Sequence, residues 1–149
     1  MILETFSAFL ATLGFGILFN IKRKKLFFAA LCGALGWFVY KFSIFIGTTE
    51  ITALFLASIS LSIYSEVFAR ILKTPVTTFI ICAFIPLVPG GGMYYTMVEA
   101  ITGNVMKSLE LGINTIASAG ALALGVVFVS TGTKILVKYK RKKLLKNSD

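Results

Sequence analysis

Histidine is absent from the 149-residue sequence, and its six acidic residues are scattered without the spacing of a ligand set. Zinc sites and histidine-based catalytic triads therefore have nothing to stand on. No nucleophile–base set is discernible either, so a membrane-embedded enzyme finds no support, and neither a cofactor nor a metal is expected. Charge is scarce as well: 14% of residues are charged against 57% hydrophobic, with a mean hydropathy of +0.90. So few charges cannot form the polar surface of a soluble domain of this size, and lipid must be the solvent for much of the chain. The two cysteines, Cys32 and Cys82, fall in different apolar runs and read as small buried hydrophobes rather than as a disulfide or metal pair. Proline occurs three times, and two of the three, Pro86 and Pro89, lie within an apolar run.

A spanning helix needs about 20 mostly apolar residues, and five runs of that length can be drawn along the chain, at 3–21, 26–46, 51–71, 76–102 and 111–137. The expected fold is an all-α, polytopic membrane domain of five transmembrane helices. Glu4 stands where a signal peptide would carry its basic region, and Lys22–Lys25 follows the first run instead of preceding it, so that run reads as a retained span. The turn Gly47-Thr48-Thr49-Glu50 joins the second and third runs into a helical hairpin. A basic tail, 138–149, ends the chain.

In the five-span arrangement, thirteen of the fifteen basic residues fall on one side, including Lys22–Lys25, Arg70, Lys73, Lys134 and the tail; only Lys41 and Lys107 fall on the other. Cytoplasmic loops carry such an excess, which predicts a multi-pass protein of the cytoplasmic membrane with its N-terminus outside and its C-terminus in the cytoplasm. The net charge of +9 does not indicate nucleic acid, because the basic residues sit between apolar runs and are not interleaved with aromatics. Basic segments beside a bilayer also attract anionic headgroups.

The fourth run is interrupted by Pro86, Pro89 and Gly90-Gly91-Gly92, followed by Tyr94 and Tyr95. Pro86 removes a helical hydrogen bond, and the three glycines favour an unwound stretch with a second half-helix starting near Met93. Non-helical backbone at such depth is tolerated only where protein buries it or a watery cavity solvates it, and broken helices of this kind form substrate sites in transporters. The free amides at the start of the second half suit a carboxylate. A kinked helix that merely packs on a neighbour is the alternative.

Ala8, Thr12, Gly16 and Asn20, and likewise Ala117, Ala121 and Gly125, form stripes of small residues suited to close helix packing; Asn20 and Asn114 are kept as candidate binding residues. Ser58, Ser62, Glu66 and Arg70 lie four apart, so Glu66 and Arg70 either form an interfacial ion pair or take part in proton coupling. Glu99, about two turns past the break, is either a coupling carboxylate or an outer-interface residue.

Phe68-Ala69-Arg70-Ile71-Leu72-Lys73-Thr74-Pro75, followed by Ile85-Pro86-Leu87-Val88-Pro89-Gly90 and Tyr94, resembles the central motif of the threonine/serine exporter family. Gly14-Phe15-Gly16-Ile17-Leu18-Phe19-Asn20, Gly33-Ala34-Leu35-Gly36 and Asn114-Thr115-Ile116-Ala117-Ser118 are similar to the small membrane subunit of the split, two-subunit type. The resemblance implies a half-transporter that assembles with a larger homologous membrane subunit and exports a small solute bearing a carboxylate, either a threonine/serine-type amino acid or a dicarboxylate such as succinate. Homo-oligomers remain open. A non-transporting scaffold or assembly subunit is the competing reading.

Overall fold

The computed structural model describes residues 1–22 and 24–146, and they are helical apart from short connections. Arg23 of the first basic cluster and 147–149 of the tail lie outside the described residues. The helices are α1 (Ile2–Leu18), α2 (Lys24–Phe45), α3 (Glu50–Ile71), α4 (Thr77–Phe84), α5 (Gly90–Ile101) and α6 (Val105–Lys146), with a 3₁₀ turn, Ile85–Leu87, after α4. Three helices, α2, α3 and α6, are long and apolar enough to cross a membrane; α4 with its turn and α5 make a fourth if the bent pair is one span. The first run forms only a 17-residue helix, about 25 Å long.

Local backbone chemistry sets these boundaries. Asn20 and Lys73 take positive φ angles of 58° and 47°, and Gly47 and Gly103 take 95° and 86°. At each, the chain closes the preceding helix by paired bonds back to its last carbonyls. At Asn20 these run from the Asn20 amide to the Ile17 carbonyl and from the Ile21 amide to the Gly16 carbonyl, both 2.9 Å. α1 thus ends three residues short of the expected boundary at Ile21. The turn at Gly103 is equally tight, so α6 starts at Val105, six residues before the expected start at Leu111, and continues through 138–146, where the sequence suggested a tail.

α2 is central, antiparallel to α1 and α3, and parallel to α4. Its contacts are made by small residues: a Cβ on Gly33 would collide with Thr12, and one on Gly36 would press on Leu61 and Leu87. α6 packs parallel to α3, with Gly125 against Ser58 and Phe55. The buried cluster of Cys32, Leu54, Ala57, Leu61, Ala83, Leu87 and Leu122 ties α2, α3, α4 and α6 together. Large apolar side chains such as Phe6, Phe42, Ile63 and Phe128 point outward. In lipid nothing drives them inward, so close packing of small residues holds the bundle.

The offset between α3 and α6 has a geometric consequence. With Gly125 level with Phe55 and Ser58, the start of α6 reaches about 20 Å past the N-terminus of α3. α5 lies antiparallel against this extension, Ser108 Oγ donating to the Thr96 carbonyl at 2.8 Å. The resulting hairpin exposes Met97, Ile101, Met106, Leu109 and Ile113 beyond the other helices.

Candidate functional site

Pro86 and Pro89 cannot donate to the carbonyls of Cys82 and Ile85, so the helix cannot continue unchanged through either position. The chain tightens into the 3₁₀ turn at Ile85–Leu87, extends at Val88 (φ −61°, ψ 131°), as the residue before a proline prefers, and turns at Pro89 (φ −75°, ψ 57°). The Gly90 amide donates to the Val88 carbonyl at 2.7 Å across Pro89, an inverse γ-turn. The helices on either side are bent by 47°. Gly90–Gly92 are not unwound: they form the first turn of α5, which starts three residues before the expected Met93. Once Pro89 has turned the chain, its carbonyl accepts from the Met93 amide at 3.2 Å, which draws the glycines into the helix.

Leu87, just before the break, packs on Gly36 and Leu61, each within two residues of the middle of its 22-residue helix. From there the break runs toward the α2–α3 turn and opens into a cavity of about 490 Å³. Its walls are Thr49, Glu50 and Ile51 of α3, Val88 to Gly92, and Leu111, Asn114, Thr115 and Ser118 of α6. A smaller cavity of about 150 Å³ shares Glu50, Val88 and Pro89 with it and leads to Trp37, Tyr40, Leu54, Pro86 and Leu87. Trp37 Nε1 is buried there without a hydrogen-bond partner among the described residues.

The polar groups around this cavity are complementary in sign. No side chain caps α5, and the Gly91 and Gly92 amides find no acceptor among the described residues. They present the positive end of a helix dipole. Glu50 lines the same cavity with a carboxylate that, like that of Glu110 outside the cavity, has no ion-pair partner among the described residues, whereas Glu4, Glu66 and Glu99 are each paired. The glycines differ in what surrounds them. A Cβ on Gly90 or Gly91 would meet nothing within 4 Å, whereas one on Gly92 would collide with Thr115. Gly92 is thus explained by packing against α6, and Gly90 and Gly91 leave the backbone open to the cavity.

The sequence-based candidates separate into three places. Pro89, Gly90, Gly91, Gly92 and Asn114 line the larger cavity, and Pro86 lines the smaller one. Tyr94 and Tyr95 are absent from both linings and stack edge to face on the exposed surface, with ring centroids 5.3 Å apart. Asn20 does not join Asn114: it lies at the opposite, basic end, where its left-handed backbone closes α1. Arg70 pairs with Glu66 at 3.3 Å one helical turn apart, and Lys107 pairs with Glu99 at 2.9 Å across the α5–α6 hairpin. Sequence reasoning missed Glu50, Trp37, Tyr40, Thr115 and Ser118. Glu50 carried a signal, as an acidic residue opening an apolar run, but it was read as part of a turn.

A family model described as "Threonine/Serine exporter, ThrE" matches residues 4–131, from the first turn of α1 through most of α6 and so across the whole cavity. No solved structure matches the chain.

Proposed function

Since the chain belongs to the threonine/serine exporter family, we propose that it is a membrane transport subunit that binds an α-amino acid in the cavity at the Val88–Pro89 break during export. The observation carrying this reading is the pairing of free amides at the start of α5 with the unpaired Glu50 across one cavity. The amides suit the substrate carboxylate, as helix N-termini do for anions in general. Glu50 suits its ammonium. Asn114, Thr115 and Ser118 add side-chain donors and acceptors of the kind that select a hydroxylated side chain. A dicarboxylate such as succinate offers a second anion instead of an ammonium, which the Glu50 carboxylate repels.

The same reading arranges the chain as five spans, with α4 and α5 as one broken span and α1 as a short one, in the cytoplasmic membrane. The basic end faces the cytoplasm, which puts the α2–α3 turn and the larger cavity toward the outside. The α5–α6 hairpin, apolar on its exposed faces and longer than the rest of the bundle, is surface for the larger homologous membrane subunit. Glu66 and Glu99 are engaged by their partners and Glu110 is absent from the cavity lining, which leaves Glu50 as the carboxylate placed to meet a substrate ammonium.

Efflux of radiolabelled threonine from vesicles containing this subunit and its larger partner tests the proposal. Gly91→Leu fills open space and blocks the backbone, so it abolishes efflux while assembly with the partner is preserved. Pro86→Ala leaves partial activity. If both variants lower assembly and efflux in equal proportion, the break is a packing feature and the scaffold reading replaces this one.

A further inference from the structure

A second cavity lies at the opposite end of the bundle, where the α1–α2 and α3–α4 connections face each other. It holds about 760 Å³, and its lining includes Lys22, Lys24, Lys25, Leu72, Thr74 and Pro75. None of the three lysines forms an ion pair among the described residues. The Thr74 hydroxyl is buried without a hydrogen-bond partner among the described residues. The left-handed backbone at Asn20 and at Lys73 turns the two connections that form these walls.

This basic cavity does not end at its polar rim. Phe19, Ile21 and Thr78 also line a narrower groove of about 240 Å³, which continues along α4 past Thr77 and Ile81 to Cys82. A small anion would occupy only the upper part and leave the apolar groove unfilled. An amphiphile with an anionic head and a hydrocarbon tail matches both parts, and basic pockets between membrane helices hold such headgroups.

The structure assigns this continuous cleft as a binding site for one anionic phospholipid. Its phosphate lies among Lys22, Lys24, Lys25 and the Thr74 hydroxyl, and an acyl chain lies in the groove along Thr78, Ile81 and Cys82. The site is separate from the cavity at the break, so its occupancy does not depend on the transport reading.

The test uses the full chain, purified in neutral detergent and equilibrated with vesicles of phosphatidylcholine containing a minor fraction of phosphatidylglycerol; lipid retained after delipidation is counted by native mass spectrometry. One phosphatidylglycerol is expected to stay bound where phosphatidylcholine does not. Replacing Lys22, Lys24 and Lys25 together by Gln lowers that retention at least about tenfold, because the cluster supplies the attraction to the anionic headgroup. Ile81→Trp fills the groove and lowers retention with the lysines intact. Lys134→Gln with Lys138→Gln removes charge elsewhere on the chain and leaves retention unchanged. Equal loss in that control would reduce the effect to general electrostatics and overturn the site. In the unaltered protein, displacement of the lipid by glycerol phosphate at matching concentration would identify a free-anion site and overturn the lipid assignment.

Discussion

α3 and α5 are both apolar, yet α3 buries eight residues and α5 buries none. α3 is wedged between α2, α4 and α6 through alanines, serines and leucines; Ser58 donates to the Phe55 carbonyl at 2.8 Å and Ser65 meets Cys32 Sγ at 3.3 Å, while the Ser62 hydroxyl is buried without a partner among the described residues. α5 leans on α6 alone, by way of Gly92, Thr96 and Gly112. The difference separates two uses of small residues. In α2, α3 and the middle of α6 they allow backbones to approach, and added bulk costs stability. At the start of α5, Gly90 and Gly91 lie against empty space, so added bulk there costs only what the space is for.

The largest expected effect tests the charge side of this contrast. Glu50 lies exposed at the N-terminus of α3, on the wall of the cavity that Gly90–Gly92 also line, outside the packed core. Glu50→Gln removes the charge and keeps the shape, and threonine efflux is expected to fall roughly ten- to a hundredfold, the scale of a lost charged hydrogen bond. Partner assembly, read by co-purification, stays unchanged.

Stability comes next. Gly33→Leu in the packed region forces a side chain into Thr12 and is expected to cost about 1–3 kcal/mol, seen as a lower melting temperature in detergent. Gly91→Leu leaves that temperature unmoved. If both variants melt alike, the distinction between packed and open glycines fails. The smallest effect belongs to Lys73, a non-glycine residue at φ 47° closing α3. Lys73→Gly relieves the left-handed strain and raises stability by up to about 1 kcal/mol, measured in the same melting experiment.

The features of the fold that were readable in advance are those fixed by local chemistry. Runs of apolar length located the long helices, and Pro86 and Pro89 located the interruption, whereas the glycines, expected to unwind, open α5. Helix ends were less legible because Asn20 and Lys73 adopt a conformation usually left to glycine, and nothing in the apolar pattern announces it. The early start of α6 depends on the tight turn at Gly103, which leaves no room for a longer polar loop. The α2–α3 hairpin and the small-residue stripes at Ala8, Thr12 and Gly16 and at Ala121 and Gly125 were legible as packing faces, but which helix each stripe meets was not. In a water-soluble helix the polar face reveals the buried one, but here both lipid-facing and core-facing sides are apolar, and the core side differs mainly in residue size. That is why Asn20 and Asn114 looked alike in sequence although they line cavities at opposite ends of the bundle. It is also why Glu50, 39 positions before Pro89, joined the site only through the fold.

The claim that the break cavity binds an amino acid is tested most directly by substrate protection. In a background with Cys32 and Cys82 replaced by alanine, Asn114→Cys places a thiol in the cavity wall and Asn20→Cys places one at the basic end. Threonine is expected to slow modification of the first by a small thiol reagent several-fold and to leave the second unchanged, with succinate at neutral pH protecting neither. Equal rates at Asn114→Cys with and without threonine, or equal protection at both positions, would contradict the assignment of substrate to the break.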